Sequence, residues 1–192
     1  SQERTTDEFL KILTSPKPSV GLKLLFDSGV LEIVFPEIAI MAGVDQRKDY
    51  HHKDVFLHTL QVVDNISKET ENVWLRFAAL VHDIAKPPTK KFVEGIGWTF
   101  HGHEDLGARM MKKIFHRMKL PLHQLDYIQK LVRLHLRPIA LAKEEVTDSA
   151  IRRFVVNAGE DLEELIVLCR ADITSKNPIK VEKYLGNYER VM

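Results

Sequence analysis

His82 and Asp83 stand side by side at the end of an apolar helical run, VWLRFAALVHDIAK (73–86), with His58 upstream and Asp172 downstream. A divalent cation accepts imidazole nitrogen and carboxylate oxygen together, and two His plus two Asp leave coordination positions for water and substrate. Open positions suit catalysis rather than structural support. The chemistry such a site performs is phosphate ester hydrolysis, because a cation lowers the pKa of its water towards neutrality and stabilises charge on phosphoryl oxygens. Neighbouring helical side chains diverge by about 100°. One cation can therefore serve His82 and Asp83 only from close over the helix end, with the other ligands arriving from different helices. Asp83 or Asp172, through a free oxygen, can also orient the water.

Each of these residues also has a plainer reading. His82 alone can be a core or capping histidine. Asp172 shares an apolar face with Leu162, Leu165, Ile166, Cys169 and Ile173, so a metal, a salt bridge or a cap must compensate its burial. His58 lies on the flank of the Phe56, Leu60 and Val63 stripe. His135 falls on one face with Leu125, Ile128 and Val132, which suits core or site equally.

Further candidates cluster around that set. Lys86, one turn past His82, can reach a phosphate or simply complement a helix C-terminus. Arg137 offers a planar fork to phosphate or to a surface carboxylate. His101, His103 and His135 can serve as phosphate donors, a leaving-group acid or ligands of a second metal. His101 and His103 point to the same side only in extended structure. His51 and His52 read as solvated, and His116 and His123 lack a supporting cluster.

The order His, His-Asp and a distant Asp resembles the HD-domain superfamily of metal-dependent phosphohydrolases. HDIAKPPT (82–89), WTFHGHE (98–104), LHLRP (134–138) and RADITSK (170–176) look like the C-terminal half of bacterial tRNA nucleotidyltransferases that carry an HD domain. RTTDEFLKIL (4–13), GLKLLFDSGVL (21–31) and FPE (35–37) resemble the helical segment joining the nucleotidyltransferase head to that domain. The resemblance implies a divalent metal (Mg, Mn, Ni, Co, Fe or Zn) on His58, His82, Asp83 and Asp172. It implies catalytic roles for Asp83, Lys86, His101 and His103, and substrate contacts from Lys86, His101, His103, His135 and Arg137. Implied substrates are phosphomonoesters or 2′,3′-cyclic phosphates of nucleotides or RNA ends, with tRNA as a partner. No Gly-Ser turn with a strand-borne acidic pair occurs, so the expectation is a chain without the nucleotide-adding head, either a fragment of a longer protein or a stand-alone relative. Two alternatives stand beside hydrolysis: a non-catalytic metal- and tRNA-binding module, and a signalling-nucleotide hydrolase of the same superfamily.

The elements that must position these residues read as helices. At 192 residues and 44% apolar, with nine Gly and eight Pro, the chain can bury a core, and its long segments carry helical periodicity. The expected fold is all-α: an HD-domain helical bundle (46–192) behind a small N-terminal helical lobe (1–45), with one short β-hairpin between Lys91 and Phe100 where Gly95 and Gly97 fall. A capping box over Thr5–Glu8 starts the first helix, which ends near SPKPS (15–19); a second precedes Ser28–Gly29. Further helices are expected near 54–67, 71–85, 103–119, 122–136, 147–157 and 160–174.

Net charge of +1 gives no overall nucleic-acid signature. Arg109, Lys112, Lys113, Arg117 and Lys119 make one helix locally basic, opposite Leu106, Met110, Ile114 and Met118, which reads as a solvated face with RNA contact as a secondary use. The single Cys169 reads as buried packing. No run approaches the ~20 apolar residues of a membrane span, no leader opens the chain, and the expected location is the cytoplasm.

Overall fold

The computed structural model describes residues 1–45, 54–137 and 148–174. An N-terminal group of helices, α1 (Gln2–Thr14), α2 (Pro18–Asp27), α3 (Val30–Val34) and α4 (Pro36–Ala39), leads to α5 (Val55–Ser67) and α6 (Val73–Val81). The short α7 (Lys86–Thr89), the antiparallel strands β1 (Lys91–Val93) and β2 (Gly97–Thr99), α8 (His103–Met118), α9 (Leu125–Leu134), α10 (Asp148–Ala158) and α11 (Leu162–Asp172) follow. This is an all-α bundle with a single hairpin among the described residues, as the helical periodicity implies.

Local chemistry fixes the helices that carry the site. Asp54 caps α5 by accepting from the Leu57 N–H at 2.7 Å, and Asn72 caps α6 by accepting from Trp74 and Leu75. Every residue of α6 from Leu75 to Val81 is buried, so this helix runs through the middle of the bundle rather than along its surface. It packs against α5, α9 and α11, and α8 packs along α9. Gly107 of α8 permits a close approach: a Cβ there would stand 3.1 Å from Val132.

The N-terminal helices share the same core, since Phe9, Leu13, Leu22 and Phe35 belong to one buried cluster with Phe56, Phe77 and Phe115. Arg76, 4% exposed, clamps them from α6: Nη1 donates to the carbonyls of Leu13 (2.8 Å) and Ser15 (3.0 Å), Nε to Thr70 (2.9 Å) and Nη2 to Ser67 (3.2 Å). Residues 46–53, which hold the expected lobe boundary with His51 and His52, lie outside the described residues, as does Pro138.

Three local expectations are corrected. Helix α1 starts at Gln2, three residues before the expected capping box. The Thr5 hydroxyl bonds the Ser1 carbonyl and Thr6 bonds the carbonyl of Met118, so both threonines have other partners. The helix expected over 71–85 stops at Val81, with His82 as its C-cap. Pro87 and Pro88 have no N–H, and a continuous helix would leave the Asp83 and Ile84 carbonyls without donors. Asp83 instead accepts from Lys86 N at 2.9 Å. The buried face of α8 carries Gly107, Ala108, Met111, Ile114, Phe115 and Met118. Leu106 and Met110 are only partly covered, because Gly107 is where the neighbouring helix comes closest.

Of the basic residues on α8, Arg117 pairs with Glu37 through two contacts of 2.6 and 2.7 Å, and Lys119 pairs with Glu3. Arg109, Lys112 and Lys113 remain exposed. No helix of the described residues is long and apolar enough to cross a membrane.

Candidate metal centre

Five helices deliver side chains to one buried point. His58 comes from the first turns of α5, His82 and Asp83 from the end of α6, His103 from the start of α8, His135 from the end of α9 and Asp172 from the last residue of α11. His82, Asp83, His103 and His135 are each 5% exposed or less. Helix ends are suited to this, because side chains there project beyond the last turn without crossing their own backbone.

Asp83 is the centre of the arrangement. Its Oδ2 lies 3.2 Å from His82 Nε2 and 3.8 Å from His58 Nε2, and its Oδ1 lies 3.2 Å from His103 Nε2 and 3.8 Å from His135 Nε2. Asp172 Oδ1 stands 2.8 Å from His58 Nε2 and 3.4 Å from His82 Nε2. The donor atoms fall into two sets, each mutually within 4.8 Å: His58, His82 and Asp172 in one, Asp83, His103 and His135 in the other.

The imidazoles are held in one common way. His82 Nδ1 lies 2.7 Å from the Ala79 carbonyl, His103 Nδ1 2.8 Å from that of Phe100 and His135 Nδ1 2.6 Å from that of Val132. In each case the partner is three residues back. A carbonyl only accepts, so Nδ1 carries the proton and Nε2 presents a lone pair towards Asp83 in the neutral ring. This is the outer-sphere support a metal-ligating histidine requires. His58 differs, with Nδ1 at 3.2 Å from the Thr174 hydroxyl.

Buried polar atoms with no hydrogen-bond partner include His82 Nε2 and His103 Nε2, and Asp83 Oδ2 is met only by ion-pair contacts. Orphaned donors and acceptors facing one another in a buried site are costly unless a further group satisfies them. Imidazole nitrogens and carboxylate oxygens of this kind fit a divalent cation.

The electrostatics lead to the same conclusion. Burial pulls the His82 imidazole down, yet the carboxylates of Asp83 and Asp172 outweigh it and raise the pKa to about 10. Burial opposes ionisation of Asp83 and Asp172 as well, but His82 and Lys86 around Asp83, and His58 and His82 around Asp172, hold both well below the usual carboxylate range. His135, buried and facing His82, is pushed down to about 3. Without a cation, protonated His82 and Lys86 thus balance the charge of Asp83 and Asp172, while His135 stays a neutral donor.

The remaining candidates are distributed around this core. Lys86 Nζ is 2.7 Å from Asp83 Oδ2 and 5.7 Å from the centroid of the Phe100 ring. His101 is exposed in the turn before α8, so it parts from His103, which opens the helix and is buried. Arg137 is exposed just past α9, and His116 and His123 are exposed elsewhere. Cys169 is buried and donates to the His135 carbonyl at 3.1 Å.

Sequence reasoning did not single out Phe100 and Thr174, which steer His103 and His58, or Asn65, whose amide donates to the Ala171 carbonyl at 3.0 Å and ties α5 to the end of α11. The repeated carbonyl three residues before each histidine has no side-chain signature, so no residue type could have revealed it.

Comparison with known proteins agrees with this geometry. Residues 1–41 match the family described as the probable RNA and SrmB-binding site of polymerase A. Similar proteins include a CC-adding tRNA nucleotidyltransferase of Thermus thermophilus, 30% identical over 100% of this chain and 44% of its own length. An A-adding tRNA nucleotidyltransferase of Deinococcus radiodurans is 32% identical over 88% of this chain and 38% of its own. A multifunctional CCA protein of Methylococcus capsulatus is 32% identical over 95% and 43%. The chain spans less than half the length of these curated relatives. Residues 55–177, which carry all six residues of the cluster, match the HD domain, and the chain belongs to that family.

Proposed function

We propose that this chain hydrolyses phosphate esters with a divalent cation held by His58, His82, Asp83 and Asp172, and that its substrates are phosphomonoesters or 2′,3′-cyclic phosphates of nucleotides or RNA ends. The observation that carries the proposal is the position of Asp83, which groups with His103 and His135 and turns its other oxygen to 3.2 Å from His82 of the neighbouring set. From this position Asp83 would act as a ligand beside His58, His82 and Asp172, with His103 and His135 available for a second cation, and the bound metal would supply charge stabilisation for phosphate displacement. When bound, the cation supplies a nucleophile from water near neutral pH and offsets charge on the phosphoryl oxygens.

The chain's own residues do the positioning. The backbone carbonyls of Ala79, Phe100 and Val132 fix three rings with Nε2 inward, so the donors need no reorganisation on loading. Lys86, ion-paired with Asp83 and 15% exposed at its side chain, stands at the edge of the cluster. Its flexible stem would let the ammonium turn from the carboxylate to a substrate phosphate. Buried walls exclude bulk water and strengthen each of these contacts.

A second reading, a non-catalytic metal- and tRNA-binding module, draws support from the match of residues 1–41 to an RNA-binding family and from the tRNA-modifying relatives. Release of phosphate from simple monoesters, and opening of an RNA-terminal 2′,3′-cyclic phosphate to the terminal monoester, with and without added Mn, Ni, Co or Mg, separates the two. Turnover that needs the metal supports hydrolysis; metal uptake without turnover on any of these esters overturns it in favour of the module.

A further inference from the structure

The β1–β2 hairpin lies between Lys86 and His103 and is not used by the centre itself. Among the described residues, its Phe92 (65% exposed) and Trp98 (40%) are the exposed phenylalanine and tryptophan. They face each other across the two strands, in register, with ring centroids 5.3 Å apart. Lys90 Nζ stands 4.4 Å from the centroid of the Trp98 ring, whereas Lys91, the register partner of Thr99, belongs to the other face of the hairpin. Thr99 on the other face is buried, so the aromatic pair points outward by the alternation of the strand. The single acidic residue of the hairpin, Glu94, sits in the turn at the end remote from Phe100.

The platform is continuous with the centre. Phe100 directly follows β2; its carbonyl accepts from His103 Nδ1 at 2.8 Å, and its ring lies 5.7 Å from Lys86 Nζ, which itself contacts Asp83 at 2.7 Å. Trp98 is two residues away, about 7 Å along an extended strand. An exposed aromatic face flanked by ammonium groups and leading to a phosphate-type site has the chemistry that binds single-stranded nucleic acid: bases stack on rings while cations meet the backbone.

We propose that the hairpin is a nucleobase-stacking platform, on which Trp98 and Phe92 hold the terminal base of a single-stranded RNA end while its phosphate lies in the Asp83 cluster. This rests on the phosphoester reading and gives it a specificity: a base beside the phosphate, rather than any ester. A ring pair that only stabilises the hairpin by cross-strand contact would instead be indifferent to RNA.

The test uses the 192-residue chain with Mn present and an RNA hexamer ending in a 3′-phosphorothioate, which resists turnover. The hexamer should quench tryptophan emission to saturation, whereas inorganic phosphate and ribose 5-phosphate at equal concentration should not. By anisotropy with a labelled hexamer, Trp98→Leu, which keeps apolar cross-strand bulk without a stacking face, should bind roughly tenfold to a hundredfold more weakly, and Trp98→Phe should recover most of that loss. Unchanged affinity in Trp98→Leu, or equal quenching by inorganic phosphate, overturns the platform. A mononucleotide binding as tightly as the hexamer overturns the assignment to RNA. Phosphate release by the wild-type chain from the same hexamer ending in an ordinary 3′-phosphate is measured in parallel: its absence sinks the hydrolase reading while the binding arms still decide the platform.

Discussion

Oδ1 of Asp83 lies 3.2 Å from Nε2 of His103, a residue that opens a different helix from the one Asp83 follows. The contact places the second carboxylate oxygen of the His-Asp pair in a different donor set from the first, which faces His82. Asp83 is therefore the residue whose loss unbalances both sets.

Asp83→Asn should accordingly abolish metal-dependent turnover and lower bound metal from about two per chain to one or fewer, because an amide replaces anionic oxygens in both sets. His103→Ala should lower it only from about two to about one. Elemental analysis after gel filtration reads both, and a His103→Ala protein that retains the full complement would remove His103 from the ligands.

Lys86→Ala should leave metal content unchanged and reduce turnover by roughly a hundredfold to a thousandfold, the range seen when one charge-stabilising donor is removed. Its effect should fall on substrate affinity and turnover rather than on the metal titration. If the variant instead loses metal, the Lys86 to Asp83 contact of 2.7 Å is what keeps the carboxylate in place.

The sequence made the metal candidates legible because Asp172 falls on an apolar helical face, where a charged group requires a partner, and because the order of His58, His82, Asp83 and Asp172 resembles the HD-domain pattern. It did not decide how they group. That depends on where helices end, and the early stop of α6 follows from the loss of two donors at Pro87 and Pro88, which the apolar run through Ala85 masked. The separation of His101 from His103 is likewise a matter of backbone: positive φ at Gly102 (77°) turns the chain just before α8, so the two histidines never share an extended segment. His135 was open between core and site because its helical face is both; the Asp83 contact at 3.8 Å distinguishes them only in three dimensions.

In chelated protein, stability should fall on both sides of neutrality. His82, raised from 6.5 to about 10, holds a proton in the folded state that the unfolded chain releases; its contribution is complete below pH 6.5 and is lost as pH rises through about 10. His135, lowered from 6.5 to about 3, is neutral in the fold while the unfolded chain takes up a proton, so acidification from pH 6.5 towards 3 destabilises. Asp83 and Asp172, both lowered, add stability above the ordinary carboxylate pKa that is lost as pH falls through their folded values. Thermal melts in EDTA should show both limbs, and His82→Gln should flatten the alkaline one. Metal binding at pH 7 should release about one proton from His82, measurable as a buffer-dependent binding enthalpy.

The clamp at Arg76 offers a test of how the N-terminal helices are tied to the centre. Its guanidinium is buried and met by four main-chain carbonyls, two of them at the end of α1 (Leu13 and Ser15) and two in the connection from α5 to α6 (Ser67 and Thr70). Arg76→Met keeps the apolar stem but leaves those carbonyls without donors, which should cost about 3 kcal/mol, or about 10 °C in Tm for a chain of this size. Arg76→Lys should recover little, because one ammonium cannot span four acceptors that a planar fork reaches at once. The metal content of the folded variant should be unchanged, since no ligand is touched. Urea unfolding followed by circular dichroism reads the stability, and a midpoint equal to wild type would mean that the shared apolar core around Phe9, Phe35 and Phe77 holds α1 without the clamp.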